Sequence, residues 1–322
     1  MPSFPPKSQQ QSGGIGRIAC QSHGSGVVFS ELSASYPLKL LAPRLSEEEN
    51  VAITYVMTYG GGLVGGDDVQ LFVDVGAGVR LLLLTQGTTK VFKTRPGLRT
   101  RNSVTGPQDG GHDPQTTSQT MTVSIPDDSA LLLLPDSVTC FRSASYTQIQ
   151  RFHLSANGSL AVLDWINCGR KSMGEEWAFT RYYSVNEVFV EGRRVARDVL
   201  LLEDPAERKS TPESASTDSA GSTSRTLKDQ LQPYSCYAML LLCGPLTKAV
   251  VSNLSSEYQK ISIFQKAGPD RLLWSLSAVD NGRSHVVRVA GTETEDVKDW
   301  LRHHLSGLEN VVGTDAYRKA FT

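Results

Sequence analysis

Short runs of apolar and β-branched residues recur along most of the chain, separated by turn-forming residues every 8–12 positions or so. Val51 to Tyr59, Val69 to Val75, Val79 to Thr85, Gln119 to Ile125, Ala130 to Leu134, Tyr146 to Leu154, Leu160 to Asn167 and Phe179 to Val190 each read as a strand. Gly76-Ala-Gly78, Pro126-Asp-Asp128, Asn157-Gly158 and Glu191-Gly192 punctuate them. Asn157-Gly158, between Phe152-His-Leu154 and Leu160-Ala-Val-Leu163, predicts a hairpin. Leu81 to Leu84 and Leu131 to Leu134 are continuous apolar runs, too short to span a bilayer, and predict buried strands. The spacing leaves no room for crossover helices, so the body is expected to be mainly β.

The pattern changes after residue 233. Tyr234 to Cys243 reads as a buried strand, and Pro245 opens a helix to Tyr258 with Leu246, Val250, Leu254 and Tyr258 on one face. Leu272 to Val279 and His285 to Ala290 predict two strands around an Asn281-Gly282 turn. Thr292 and Glu295 form a capping-box pattern before a second helix, whose face is Val297, Trp300, Leu301 and Leu305. His303 and His304 are adjacent and point to different faces, a poor arrangement for holding one metal ion. Three segments lack core-forming residues: a Pro/Gln/Ser-rich tail over 1–14, a loop insertion over Gly106 to Ser118, and Pro205 to Pro233, expected to be disordered. The chain then divides into a β-rich body over 15–204 and a strand-and-helix part over 234–322.

Composition narrows the function. The chain has 322 residues, 39% hydrophobic and 20% charged, which is enough apolar material for a core. Its net charge of −1 supplies no field for nucleic acid. No apolar stretch approaches the ~20 residues that span a bilayer, and the N-terminal tail has no apolar signal region. The five cysteines are widely spaced with no C-x-x-C, so reduced core thiols in a cytoplasmic protein are expected.

Candidate chemistry gathers at a few places. Tyr59-Gly-Gly-Gly-Leu-Val-Gly-Gly-Asp-Asp68 holds five glycines in seven residues (Gly60, Gly61, Gly62, Gly65 and Gly66), which asks for positive φ or close backbone approach. It fits either a plain turn or a loop with uncovered amides and Asp67 and Asp68 at its mouth. Acids there would repel phosphate, and no Walker, G-x-S-x-G or H-E-x-x-H motif occurs. Asp164 interrupts the apolar run Leu160 to Ile166 and must be paired, hydrogen-bonded or in a wet cavity, with Arg170 as a partner. It fits a structural Asp–Arg pair or a carboxylate lining a water-filled route for a divalent cation. Glu175 and Glu176 follow at a glycine-flanked turn, and Lys90 in Thr85-Gln86-x-x-x-Lys90 fits a structural or interface role.

These segments resemble the urease accessory protein D family (UreD, or UreH in some bacteria). The resemblance is carried by Gly61-Gly-Leu-Val-Gly-Gly-Asp67, Thr85-Gln-Gly-Thr-Thr-Lys-Val-Phe92, Leu134-Pro-Asp-Ser-Val-Thr-Cys-Phe141 and Gly169-Arg-x-x-x-Gly-Glu175, in the family's order. It covers residues 15–204 well and continues more weakly through His285-Val-Val-Arg-Val-Ala-Gly291 and the helix after it. The polar insertions have a eukaryotic, fungal character. Asp136-Ser137 departs from the family's usual Gln-Glu or Gln-Asp, so no role is carried to that pair. The resemblance implies helically layered strands with two C-terminal helices and no catalysis of its own. It further implies docking of apo-urease and of a UreF-type protein that recruits a UreG-type GTPase, with transient passage of Ni2+ and no tightly bound cofactor. Asp67, Asp68 and Asp164 match acidic positions associated with that passage, and Glu175 the acid of the Gly-Arg…Gly-Glu motif. Gly61, Gly62, Gly65, Gly66, Thr85, Gln86, Lys90, Gly169 and Arg170 are expected to build its structural and interface motifs. A scaffold without nickel passage, and a metal-dependent hydrolase built on Asp67, Asp164 and Glu175, stand as alternatives.

Overall fold

The computed structural model describes residues 14–43, 51–93, 116–204, 225–261 and 271–321. The strands fall into a seven-stranded and an eleven-stranded sheet, and the chain alternates between them. β1 (Gly14–His23) and β2 (Gly26–Ala34) form a ribbon in the smaller sheet, and β3 (Leu38–Leu41) and β4 (Val51–Thr58) lie in the larger. After the short β5 (Gly62–Leu63), β6 (Asp68–Val75) runs in the smaller sheet, and β7 (Arg80–Leu84) and β8 (Thr89–Val91) in the larger. The winding repeats with β9 (Thr117–Ile125), then β10 (Ala130–Leu133) and β11 (Val138–Cys140). It repeats again with β12 (Ser145–Leu154), then β13 (Ser159–Asn167). A small hairpin, β14 (Gly169–Arg170) with β15 (Glu175–Glu176), leads to the antiparallel pair β16 (Arg181–Val190) and β17 (Arg193–Glu203) of the smaller sheet.

This winding makes β6, β9, β12 and β16 parallel neighbours, and likewise β7, β10 and β13. The protein is therefore mainly β, as the pattern predicts, but Asn157-Gly158 is not a hairpin. It turns the chain from β12 in one sheet to β13 in the other. The reason is a stack of turns. The Ser129 hydroxyl bridges to Gly76 and Gly78 (2.9 Å each), and the Asn157 amide donates to Asp127 Oδ1 at 2.6 Å. Each corner rests on the one before it, which a local hairpin signal does not encode.

Period-2 alternation then sorts the side chains. Leu81, Leu83, Leu131, Leu133, Leu160 and Val162 point between the sheets. Leu82, Leu84, Leu132, Ala161 and Leu163 point the other way, into a second core. The leucine runs are thus buried on both faces.

The second core is closed by the C-terminal elements. After α1 (Leu227–Leu231), whose Leu227 joins the core between the two sheets, they are β18 (Cys236–Cys243), α2 (Lys248–Gln259), β19 (Leu272–Val279), β20 (Ser284–Gly291), α3 (Thr294–His304), α4 (Glu309–Val312) and α5 (Thr314–Ala320). The predicted helices are α2, after a 3-10 turn at Pro245–Thr247, and α3; α1, α4 and α5 are short additions to the expected two. α1 lies inside the stretch 205–233 expected to be disordered. Thr226 and Asp229 cap it reciprocally, Leu227 is buried and Leu231 packs against the same core, so this five-residue helix is held by its cap and two apolar contacts. Residues 205–224, 101–115 and the tail 1–13 lie outside the described residues, but Thr117 and Ser118, placed in the insertion by composition, belong to β9. The predicted capping box at Thr292 does not form: α3 starts one residue later behind Glu293, with no side-chain cap.

Candidate functional site

Asp164 is the odd residue of β13. It shares the inward side with Leu160, Val162 and Ile166, so it faces the seven-stranded sheet across the interior. There β16 presents every second residue: Tyr182 hydroxyl donates to Asp164 at 3.2 Å, Ser184 hydroxyl at 2.5 Å and Asn186 Nδ2 at 2.7 Å. Three donors satisfy the half-buried carboxylate, which is the condition for placing it there. Arg170, its expected partner, is elsewhere and bound to Glu175. Burial, with the Asp164 charge adding to it, pushes the Tyr182 phenol well above its ordinary pKa, so it remains a donor.

The polar row continues across the sheet in register. Gln119 of β9 sits beside Gln148 of β12, and Gln148 beside Ser184 of β16. Gln150, Asn186 and Asp198 make the next row. The Tyr146 hydroxyl shares its one proton between Gln119 Oε1 and Gln148 Oε1, each at 3.1 Å, and Gln148 Nε2 donates to Ser184 at 3.1 Å. On the facing sheet, Asp164, Met239 and Arg288 lie in register, and Arg288 pairs with Asp198. Burial raises the Asp198 carboxyl while Arg288 opposes it. A polar seam thus crosses the interior between two apolar layers.

A cavity of about 40 Å3 opens on this seam, lined among others by Gln119, Gln148, Gln150, Asp164, Thr85 and Asp136. At roughly 10–15 Å3 per water it holds about three. Gln150 Oε1, on its wall, and Asn186 Oδ1 are buried acceptors with no donor among the described residues, places where water would be accommodated. Asp136 is the second carboxylate on the wall. Its amide donates to the Thr85 hydroxyl at 2.8 Å, and burial raises its carboxyl pKa against the pull of Lys298 and the Gly87 amide. Among the described residues, no group of three or more His, Cys, Asp or Glu is placed to hold a metal ion. The wall offers carboxylate, amide and hydroxyl oxygens, a set that binds hard cations loosely.

The profile of the family described as UreD urease accessory protein matches residues 13–321. Urease accessory protein 4 of Cryptococcus neoformans is 39% identical over 312 residues, covering 93% of this chain and 92% of the relative. Urease accessory protein D of Oryza sativa subsp. indica is 32% identical over 305 residues, covering 88% and 89%. Urease accessory protein UreD of Sorangium cellulosum is 30% identical over 330 aligned positions, covering 99% and 90%. The chain belongs to the UreD family. It is thereby a urease accessory protein, not an enzyme.

In this UreD chain the other predicted residues have separate posts. Gly60, Gly61 and Gly66 take φ of 77°, 74° and 84°, as a glycine-rich turn demands. Gly62 is extended and pairs with Lys90; a Cβ there would lie 2.5 Å from the Lys90 carbonyl oxygen. Asp67 does not front an uncovered loop. Its Oδ2 accepts from the Val64 amide at 2.7 Å and locks the turn around Gly65. Asp68 starts β6 on the outer side, bonded to Ser118 and to Gln70. Glu175 accepts two bonds of 2.8 Å from Arg170, with Arg142 at 3.6 Å; the Arg170 bond, then the two arginine charges, lower its pKa. Gly169 and Arg170 form the hairpin strand opposite Glu175 and Glu176, and Arg170 lies 4.4 Å over the Phe141 ring. Gln86 and Lys90 are exposed. Of the four acids singled out from sequence, Asp164 alone is on the cavity wall. Sequence reasoning missed Gln119, Gln148 and Gln150. The signal was present in Tyr146-x-Gln148-x-Gln150-x-Phe152, two polar residues on the same strand face as, and between, two core aromatics.

Proposed function

We propose that this UreD chain is a maturation scaffold. It docks apo-urease and a UreF-type protein, engages a UreG-type GTPase through the latter, and gives Ni2+ a polar passage between its two sheets. The observation that carries this reading is Asp164, an interior carboxylate set in a row of amides and hydroxyls beside a cavity with room for about three waters. A dication cannot cross an apolar interior, because desolvating it costs far more than a fold can return. Oxygen ligands in series keep it solvated, and without histidine or thiolate they do not trap it. Asp164 and Asp136 are the passage carboxylates in this reading. Asp67 and Glu175 hold the loops that carry the family's motifs, and Asp68 sits at the outer strand start. Five free, buried cysteines fit a reducing cytoplasmic setting.

The test is co-expression with the cognate urease, UreF-type protein and UreG-type GTPase, followed by nickel content and activity of the purified urease. Asp164→Asn and Asp136→Asn should each lower nickel loading in part and together lower it further, with co-elution of the complex unchanged. A second reading, a scaffold without nickel passage, is favoured by one observation: three donors already occupy the Asp164 carboxylate. Normal loading by a double variant that folds and assembles would leave that second reading standing and end the first.

A further inference from the structure

The outer face of the seven-stranded sheet carries charges that the interior seam does not use. In register across β12, β16 and β17, Arg151 lies beside Glu187 and Glu187 beside Arg197. An irregularity in the β16–β17 pairing at Val188 and Phe189 brings Arg194 to the same face, opposite Phe189. Three guanidinium groups converge on one carboxylate: Arg194 at 3.0 Å, Arg151 at 3.3 Å and Arg197 at 3.4 Å from Glu187 oxygens. The Glu187 side chain is 12% exposed, whereas the arginines are 46–54% exposed. One negative charge cannot balance three positive ones, so the patch keeps a surplus of two, held on strands and facing out. Beside it lie the rows Ile149, Val185, Val199 and Thr147, Tyr183, Leu201. Val199 and Leu201 are exposed apolar side chains on this face, while among the described residues α2 and α3 pack against the other sheet.

We propose that this face is a docking surface for a partner protein that presents clustered carboxylates next to apolar side chains. Arginine suits the task, since its planar fork grips carboxylates in pairs of hydrogen bonds. Glu187 holds the forks in place before the partner arrives, which lowers the ordering cost of binding. A phosphate backbone would meet the arginines but leave Val199 and Leu201 in water, whereas a protein face covers both. The assignment rests on the reading that this chain works by docking proteins, and not on the nickel passage.

The test uses the full chain with Arg194→Gln and Arg197→Gln together. Arg151 stays with Glu187, so the surplus charge is removed without leaving that carboxylate unpaired. Binding of the cognate apo-urease, and separately of the cognate UreF-type protein, is measured at ~0.05 M and ~0.5 M salt. Affinity for one of the two is expected to fall about tenfold or more at low salt, with the gap to wild type narrowing at high salt. Val199→Ser with Leu201→Ser should weaken the same partner at both salt concentrations, since its loss is apolar. Unchanged binding of both partners by both variants, with circular dichroism as in wild type, overturns the surface. So does loss of binding to RNA or to phosphatidylserine vesicles with partner binding intact. A wild-type chain that binds neither protein overturns this assignment and the maturation reading together.

Discussion

Replacing Asp164 by Asn is the sharpest probe of the seam, because it changes charge and donor pattern at constant shape. Asp164 accepts from Tyr182, Ser184 and Asn186 at 3.2, 2.5 and 2.7 Å. Hydrogen bonds to a charged acceptor contribute about 1.5–3 kcal/mol each, against about 1 kcal/mol for neutral ones. In Asp164→Asn the remaining oxygen keeps the Tyr182 hydroxyl as a neutral bond. The new amide group faces Asn186 Nδ2, donor to donor, and the Ser184 hydroxyl must rotate to accept. Two bonds each lose about 1 kcal/mol and a buried donor left unpaired costs about 1–3 kcal/mol. Relief from holding a charge inside offsets part of this, for a net loss of about 3 kcal/mol. At about 2 °C per kcal/mol for a chain of this size, the melting midpoint falls by about 6 °C. The exchange Asp164→Asn with Asn186→Asp restores donor against acceptor and should recover most of the loss in a double-mutant cycle. Thermal and urea denaturation of the three variants reads both effects. A single variant as stable as wild type, or an exchange no better than the sum of its parts, would refute the hydrogen-bonding account of Asp164.

Three more outcomes follow from the geometry. Gly62→Ala puts a methyl 2.5 Å from the Lys90 carbonyl and 2.7 Å from the Phe92 ring, forcing β5 from β8; an unfolding free energy lower by about 2 kcal/mol in urea titration is expected, and no change would refute the close approach. Glu175 has its folded pKa lowered, first by the Arg170 hydrogen bond. Its contribution is therefore present above the ordinary carboxylate range and lost as pH falls through the lowered folded value, so Glu175→Gln should flatten the acid limb of the stability–pH curve. All five cysteines are buried, and burial raises Cys20 to about 11 and Cys236 to about 12. A thiol-reactive dye should label none of the five in the native protein at neutral pH and all five in denaturant.

The strands and the two longer helices were legible because their periodicity is local. Leu81 to Leu84 announces a buried strand without reference to any other residue, which the structure splits between two cores, and Val250 with Leu254 announces the buried side of α2. What failed were features decided at a distance. Asn157-Gly158 carries a hairpin signal, yet the stacked corner at Asp127 decides where the chain goes. Asp164 announces itself as misplaced, but its partners are Tyr182, Ser184 and Asn186 on a strand of the other sheet, not the nearby Arg170. Those three recur at every second position of β16, the alternation that marks a polar stripe on an inward face. Reading them as partners requires knowing which strand faces β13, and that is a fact of winding. Asp67 and Glu175 were singled out by motif, and the structure gives each a local job in a turn or an ion pair.

The alternation of β16 also explains how one strand can serve two surfaces without conflict. Its inward residues Tyr182, Ser184 and Asn186 hold Asp164, and its outward residues Tyr183, Val185 and Glu187 belong to the arginine-rich face. Successive side chains point to opposite sides of a sheet, so the two sets share a backbone but not a contact. A one-residue slip in the register of β16 would send Glu187 inward and Asn186 to solvent, and would unmake both at once. The ten-residue parallel pairing of β12 with β16 and the antiparallel pairing with β17 fix that register from both sides. The apolar positions Phe152 and Val188, buried at the far end of the same strands, anchor it in the core. Core packing and site geometry are therefore set by the same decision. In the proposed maturation role, that places the nickel-facing row and the partner-facing row on a common rigid element, the arrangement that holds a passage in shape while proteins dock on its outer wall.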